Sequence, residues 1–96
     1  MVKHILFLSV KSNYDHKEVL STFTQMMLQL KKLIPEIMDF HIGENINPTS
    51  AYQICLDSEF KDINALNHYI YHPEHMKVRE YLASVIDDKL TFDYIK

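Results

Sequence analysis

The first ten residues are apolar at both alternating parities. Val2, His4, Leu6, Leu8 and Val10 share one face of an extended segment, and Ile5, Phe7 and Ser9 share the other with Lys3 and Lys11. A strand apolar on both faces needs a cover on both. Asn13-Tyr14-Asp15 then turns the chain, and Asp15 with Glu18 has the form of a capping box. Val19, Leu20, Phe23, Met27, Leu30 and Ile34 follow at helical spacing until Pro35, which predicts one long amphipathic helix. Ile37 to Ile46 reads as a second strand, with Met38, Phe40 and Ile42 opposite Asp39 and His41 and a bulge or bend at Gly43. Ala51 to Phe60 reads as a third, with Tyr52, Ile54, Leu56 and Phe60 on its apolar face.

Asp62 is placed to cap a short helix over Ile63 to Tyr71, with Leu66, Tyr69 and Ile70 inward. His72 stands before Pro73, which disfavours a helical backbone at His72 and suits the first position of a new helix running to about Val85. On that helix His75, Val78, Leu82 and Val85 share a face. Leu90 to Ile95 closes the chain as a strand, with Leu90, Phe92 and Tyr94 opposite Thr91, Asp93 and Ile95. The order β-α-β-β-α-β, with the second helix split, is the ferredoxin-like α+β arrangement: an antiparallel four-stranded sheet with helices on one face. The uncovered face, with Ile5, Phe7, Phe92 and Tyr94, predicts a face-to-face homodimer.

Composition narrows the function. The 96 residues make a single domain over 1–96, 47% hydrophobic, with one Gly and three Pro. A net charge of −3, with no basic run longer than Lys31-Lys32, leaves no electrostatic footprint for nucleic acid. No apolar stretch approaches the length of a membrane span. The opening strand lacks the basic leader and cleavage site of a signal peptide, and the lone Cys55 has no internal disulfide partner, so a cytoplasmic location is expected.

The densest chemistry lies in Tyr69-Ile70-Tyr71-His72-Pro73-Glu74-His75, with His4 buried in the first strand and Asp93 in the last. Such groups are costly to bury without partners, so together they point to a pocket. His75 suits a general base, or a core histidine bonded to Asp93 or to backbone. Tyr69 suits a carbonyl-polarising acid, or a packed tyrosine with a satisfied hydroxyl. His4 and Asp93 suit orienting or purely structural roles. His72 suits a helix start. His72 and His75 have no third donor at helical spacing, so neither a metal nor any other cofactor is implied.

Four motifs, Val2-Lys3-His4-Ile5, Leu33-Ile34-Pro35, Tyr69 with His72-Pro73-Glu74-His75, and Phe92-Asp93-Tyr94, resemble the stress-responsive A/B-barrel domain family across nearly the whole chain. The resemblance implies a dimeric α+β barrel of two ferredoxin-like subunits. In a plant member that closes a polyketide by aldol condensation, the catalytic histidine and tyrosine match His75 and Tyr69. A further pocket histidine matches His4, and an aspartate matches Asp93. That member carries bulky aromatics where this chain has Thr24 and Met27, which implies a different substrate.

The expected function is small-molecule binding in a pocket lined by Leu6, Leu8, Phe23, Thr24, Met27, Leu28, Phe40, Leu56 and Val78. The alternatives are a cofactor-independent lyase or cyclase acting on an enolisable carbonyl, with His75 as base and Tyr69 as acid, and a purely structural dimer. The four polar groups are expected to converge on the helix-covered side, with His75 bonded to Asp93.

Overall fold

A computed structural model describes residues 1–96. The elements are β1 (Val2–Val10), α1 (His16–Leu33), β2 (Ile37–Glu44), β3 (Ile54–Phe60), α2 (Ile63–Ile70), α3 (Pro73–Val85) and β4 (Ile86–Ile95). The strands form one sheet in the order β2-β3-β1-β4, every neighbouring pair antiparallel. This is the ferredoxin-like fold read from the sequence, with its second helix split.

Local chemistry sets the helix boundaries. The Asp15 carboxylate accepts the backbone N–H groups of Lys17 and Glu18 at the start of α1, and Asp62 accepts that of Ala65 at the start of α2. Each satisfies donors that the first turn leaves without a partner. His72 has an extended backbone (φ −69°, ψ 135°), and its Nδ1 accepts the N–H of Glu74 at 3.1 Å. The break before Pro73 is therefore both forced by the proline and capped by the histidine.

The sheet's inner face and the helices enclose one core. Phe23, Met27, Leu30 and Ile34 meet Leu8, Ile54, Leu56 and Phe60, with Tyr69, Val78, Leu82 and Val85 closing the cluster. On the outer face β1 and β4 run in the register Ile5↔Phe92, Phe7↔Leu90 and Lys3↔Tyr94. Leu90, Phe92 and Tyr94 are exposed there.

The strands differ from expectation in their boundaries and in one irregularity. The irregularity in β2 falls between Ile37 and Asp39, not at Gly43, whose backbone is ordinary. It puts Ile37 in the core and leaves Met38 exposed, so Met38 does not share a face with Phe40 and Ile42. β3 begins at Ile54, and β2 ends at Glu44. β4 begins at Ile86, four residues before Leu90, because β1 reaches far enough to pair Val10 with Ile86. Asp87, Asp88 and Lys89 conceal that start, since an edge strand tolerates charge that a central strand would not. No helix is long and apolar enough to cross a membrane.

Candidate functional site

His4 lies on the inner face of β1, directly opposite Asp93 of β4. Its Nδ1–H donates to Asp93 Oδ1 at 2.5 Å, and its backbone carbonyl accepts the buried Ser58 hydroxyl at 2.8 Å. The pair fixes one imidazole tautomer, with Nε2 as the free acceptor. Tyr69, on α2, is almost fully buried. Its ring lies 6.1 Å edge-on from His4 and 5.0 Å from Phe60. The His75 imidazole packs against the Tyr69 ring at 4.2 Å.

His75, in the first turn of α3, donates Nδ1–H to the Ile70 carbonyl at 3.0 Å. The end of α2 thereby orients the ring that begins α3, and in the neutral form Nε2 is left as the basic nitrogen. Burial moves the His75 proton affinity below its ordinary value of 6.5. The Ile70 contact works in the opposite direction, and the Arg79, His4 and Lys89 charges add to the lowering. The imidazole is neutral at physiological pH, as a base must be. Burial pushes the Tyr69 hydroxyl far above the ordinary range of a phenol, so it is a donor and not an anion. It donates to Met27 Sδ at 3.9 Å, a soft and weak acceptor.

These groups border a cavity of about 680 Å³ between α3 and β4. His4, Leu6, Phe23, Leu56, Tyr69, His75, Val78 and Asp93 line it, as the sequence suggested. Leu8, Thr24, Met27, Leu28 and Phe40 do not. Leu8 and Met27 are wholly enclosed in the core, and Leu28 is on the exposed side of α1. The Thr24 hydroxyl donates to the Leu20 carbonyl one turn back, at 2.7 Å. Phe40 sits on β2, at the opposite edge of the sheet from β4, with Lys31 Nζ 5.9 Å from its ring centre. The space opens instead at the β4 edge of the sheet, beside α3.

The expected bond between His75 and Asp93 is also absent, because Asp93 pairs across the strands with His4. Residues that sequence reasoning missed, among them Met76, Arg79, Leu82, Ile86, Lys89 and Thr91, form the α3 and β4 walls. One signal pointed to them. Lys89, Thr91 and Asp93 alternate on the helix-covered side of β4, where a closed core would demand apolar residues.

No three His, Cys, Asp or Glu side chains come together as a metal-binding set. Cys55 faces outward, opposite Phe7 and Gly43, and burial with nearby Asp57 pushes its thiol up, away from a reactive thiolate.

The architecture and the cavity together define a ferredoxin-like α+β protein with a pocket at one edge of its sheet. The chain belongs to the stress responsive A/B barrel domain (Dabb) family, whose model matches residues 2–96. It is 25% identical over 96 residues to olivetolic acid cyclase from Cannabis sativa, covering 97% of this chain and 94% of that one. It is 28% identical over 96 residues to a stress-response A/B barrel domain-containing protein of Arabidopsis thaliana, covering 97% and 87%. A dimeric ferredoxin-like protein of unknown function from Bacteroides fragilis superposes with a TM-score of 0.87 at 28% identity, covering 99% of this chain and 95% of that one. The hydroxynitrile lyase of Passiflora edulis superposes with a TM-score of 0.87 at 18% identity, covering 99% and 92%, a likeness of fold.

Proposed function

We propose that the protein is a homodimer that binds a small carbonyl compound in each subunit's cavity, and that the neutral His75 serves there as a general base. The observation that carries this reading is the placement of His75 on the wall of a cavity of about 680 Å³, with Nδ1–H tied to the Ile70 carbonyl. Small-molecule pockets span roughly 300–1,000 Å³ and pair apolar walls with a few polar groups. A purely structural dimer would have filled such a space with side chains, so the cavity favours a ligand.

The chemistry follows from the tautomer. His75 Nε2 takes a proton from a carbon next to a carbonyl, the C–H bond breaks, and its electron pair moves onto the carbonyl oxygen as an enolate. The enolate carbon then either adds to a second carbonyl within the same molecule, as a cyclase requires, with the resulting alkoxide taking the proton back from the imidazolium, or is itself reprotonated by the imidazolium. His4, oriented by Asp93, is the better placed second proton carrier. Tyr69 serves as acid only after its hydroxyl leaves the core sulfur of Met27 for the substrate's oxygen. The 25% identity to a cyclase supports this class of reaction.

Dimerisation is proposed through the outer sheet face, where Ile5, Phe7, Leu90, Phe92 and Tyr94 have no helix above them. Lys3 crosses that face to Asp57 at 2.6 Å, and Lys96 reaches Glu59 at 3.1 Å. Paired charges of this kind can be covered at far smaller cost than lone ones. The Bacteroides fragilis relative, described as dimeric, supports the same arrangement.

Proton exchange at carbon tests the base directly. In D2O the protein should accelerate deuterium incorporation next to the carbonyl of aryl ketones or 1,3-diketones, and His75→Asn should lose the acceleration. The Asn amide can keep the bond to Ile70, so the fold should persist. Exchange that is equally fast with His75→Asn would sink the assignment.

A further inference from the structure

Arg79 of α3 and Lys89 of β4 line the cavity from its two outer walls. Four carboxylates, Glu80, Asp87, Asp88 and Asp93, line it too, yet neither cation lies within ion-pair distance of any of them. The guanidinium of Arg79 makes one polar contact, Nη1 donating to Met76 Sδ at 3.9 Å, and Lys89 Nζ makes none. Two of the carboxylates are engaged elsewhere. Asp93 accepts from His4, and Asp88 accepts from the Tyr52 hydroxyl and the backbone N–H of Lys89. Burial is the main effect on the His75 proton affinity, and the two cations of the cavity wall, Arg79 and Lys89, add to the lowering. The acidic groups outnumber the cations around the rim as a whole, but Arg79 and Lys89 are the cavity cations whose charge acts on His75.

We propose that the cavity selects carbonyl compounds that also carry a carboxylate, with Arg79 and Lys89 holding the carboxylate near the mouth and the carbonyl end directed toward His75. The inference rests on the reading of the cavity as a carbonyl site and adds the second half of the ligand. A guanidinium and an ammonium on separate elements can grip a carboxylate from two directions. Their positive field also favours the enolate that proton removal would create.

Binding of 4-oxo-4-phenylbutanoate and of its methyl ester to the full chain separates the possibilities, with affinity from calorimetry and contact with His75 from its imidazole NMR signals. The acid should bind about tenfold tighter than the ester at low salt, and the preference should shrink at about 0.5 M NaCl, where exposed charges are screened. Arg79→Gln with Lys89→Gln should abolish the preference, so that acid and ester bind the variant equally. Both residues are exposed, and circular dichroism checks that the variant folds. An ester that binds as tightly as the acid, or a preference that survives the double substitution, would overturn carboxylate selection. If both ligands then still perturb His75, the carbonyl site itself stands. If neither perturbs His75 at millimolar concentration, both readings fail together.

Discussion

At the scale of single residues, the site depends on which nitrogen of each histidine is already committed. His75 gives Nδ1–H to a carbonyl and His4 gives Nδ1–H to a carboxylate, so both rings offer Nε2. The lowered proton affinity of His75 has a consequence for stability. The unfolded chain takes that proton more readily than the folded one, so the contribution is complete above the ordinary value of 6.5 and is lost as pH falls below it. His75→Asn should therefore reduce the acid sensitivity of thermal unfolding measured between about pH 7 and pH 5, and any His75-dependent rate should fall on the acid limb with an apparent pKa below 6.5. Tyr69→Phe removes only a weak O–H···S contact and keeps the ring stack. It should change stability by less than about 1 kcal/mol in chemical denaturation, so a large loss of turnover in that variant would identify the hydroxyl as the acid.

At the scale of elements, the junction of α2 and α3 orients His75, the proposed base. The chain breaks at His72, its imidazole caps α3, and the last turn of α2 supplies the Ile70 carbonyl that orients His75. The cap requires an acceptor, so a side chain that offers one should replace it. His72→Asn should hold stability within a few tenths of a kcal/mol, whereas His72→Ala should cost about 1 kcal/mol, as measured by urea unfolding. An alanine variant as stable as the parent would show that Pro73 alone sets the break. Across the sheet, the register His4↔Asp93 builds the second histidine's partner into strand pairing itself. Any slip of β4 by one residue would turn Asp93 outward and dissolve the dyad.

At the scale of the molecule, one sheet has two faces and only one layer of helices. The inner face supplies the core and the cavity, and the outer face supplies an apolar surface centred on Ile5, Phe7, Phe92 and Tyr94. Phe92 is 60% exposed in the single subunit, which fits a residue waiting for a partner better than one adapted to water. Phe92→Asp should shift sedimentation from dimer to monomer and leave the far-ultraviolet circular dichroism of the fold in place. A face-to-face contact of this kind is expected to bury on the order of 2,000 Å² or more. A parent protein that sediments as a stable monomer at micromolar concentration would remove the interface from the proposal.

The element order, the helix caps at Asp15 and Asp62, the break at Pro73 and the outer-face stripe were determined by the sequence itself, because each rests on spacing or on backbone chemistry confined to a few neighbouring residues. Proximity of Tyr69 to His75 was legible for the same reason: the two are six positions apart across a forced turn. Long-range pairing was not. Asp93 could satisfy either histidine on grounds of chemistry, and only the strand register, which places it opposite His4, decided between them. The misplacement of Thr24 and Met27 has a similar cause. Helical periodicity says which side of α1 faces inward, but not where along the sheet α1 seals the core, so Thr24 and Met27 looked as eligible for the pocket as Phe23. The cavity's position at the β4 edge depends on how three helices share one face. That is a property of packing among distant elements, and the polar inner side of β4 was its single trace in the sequence.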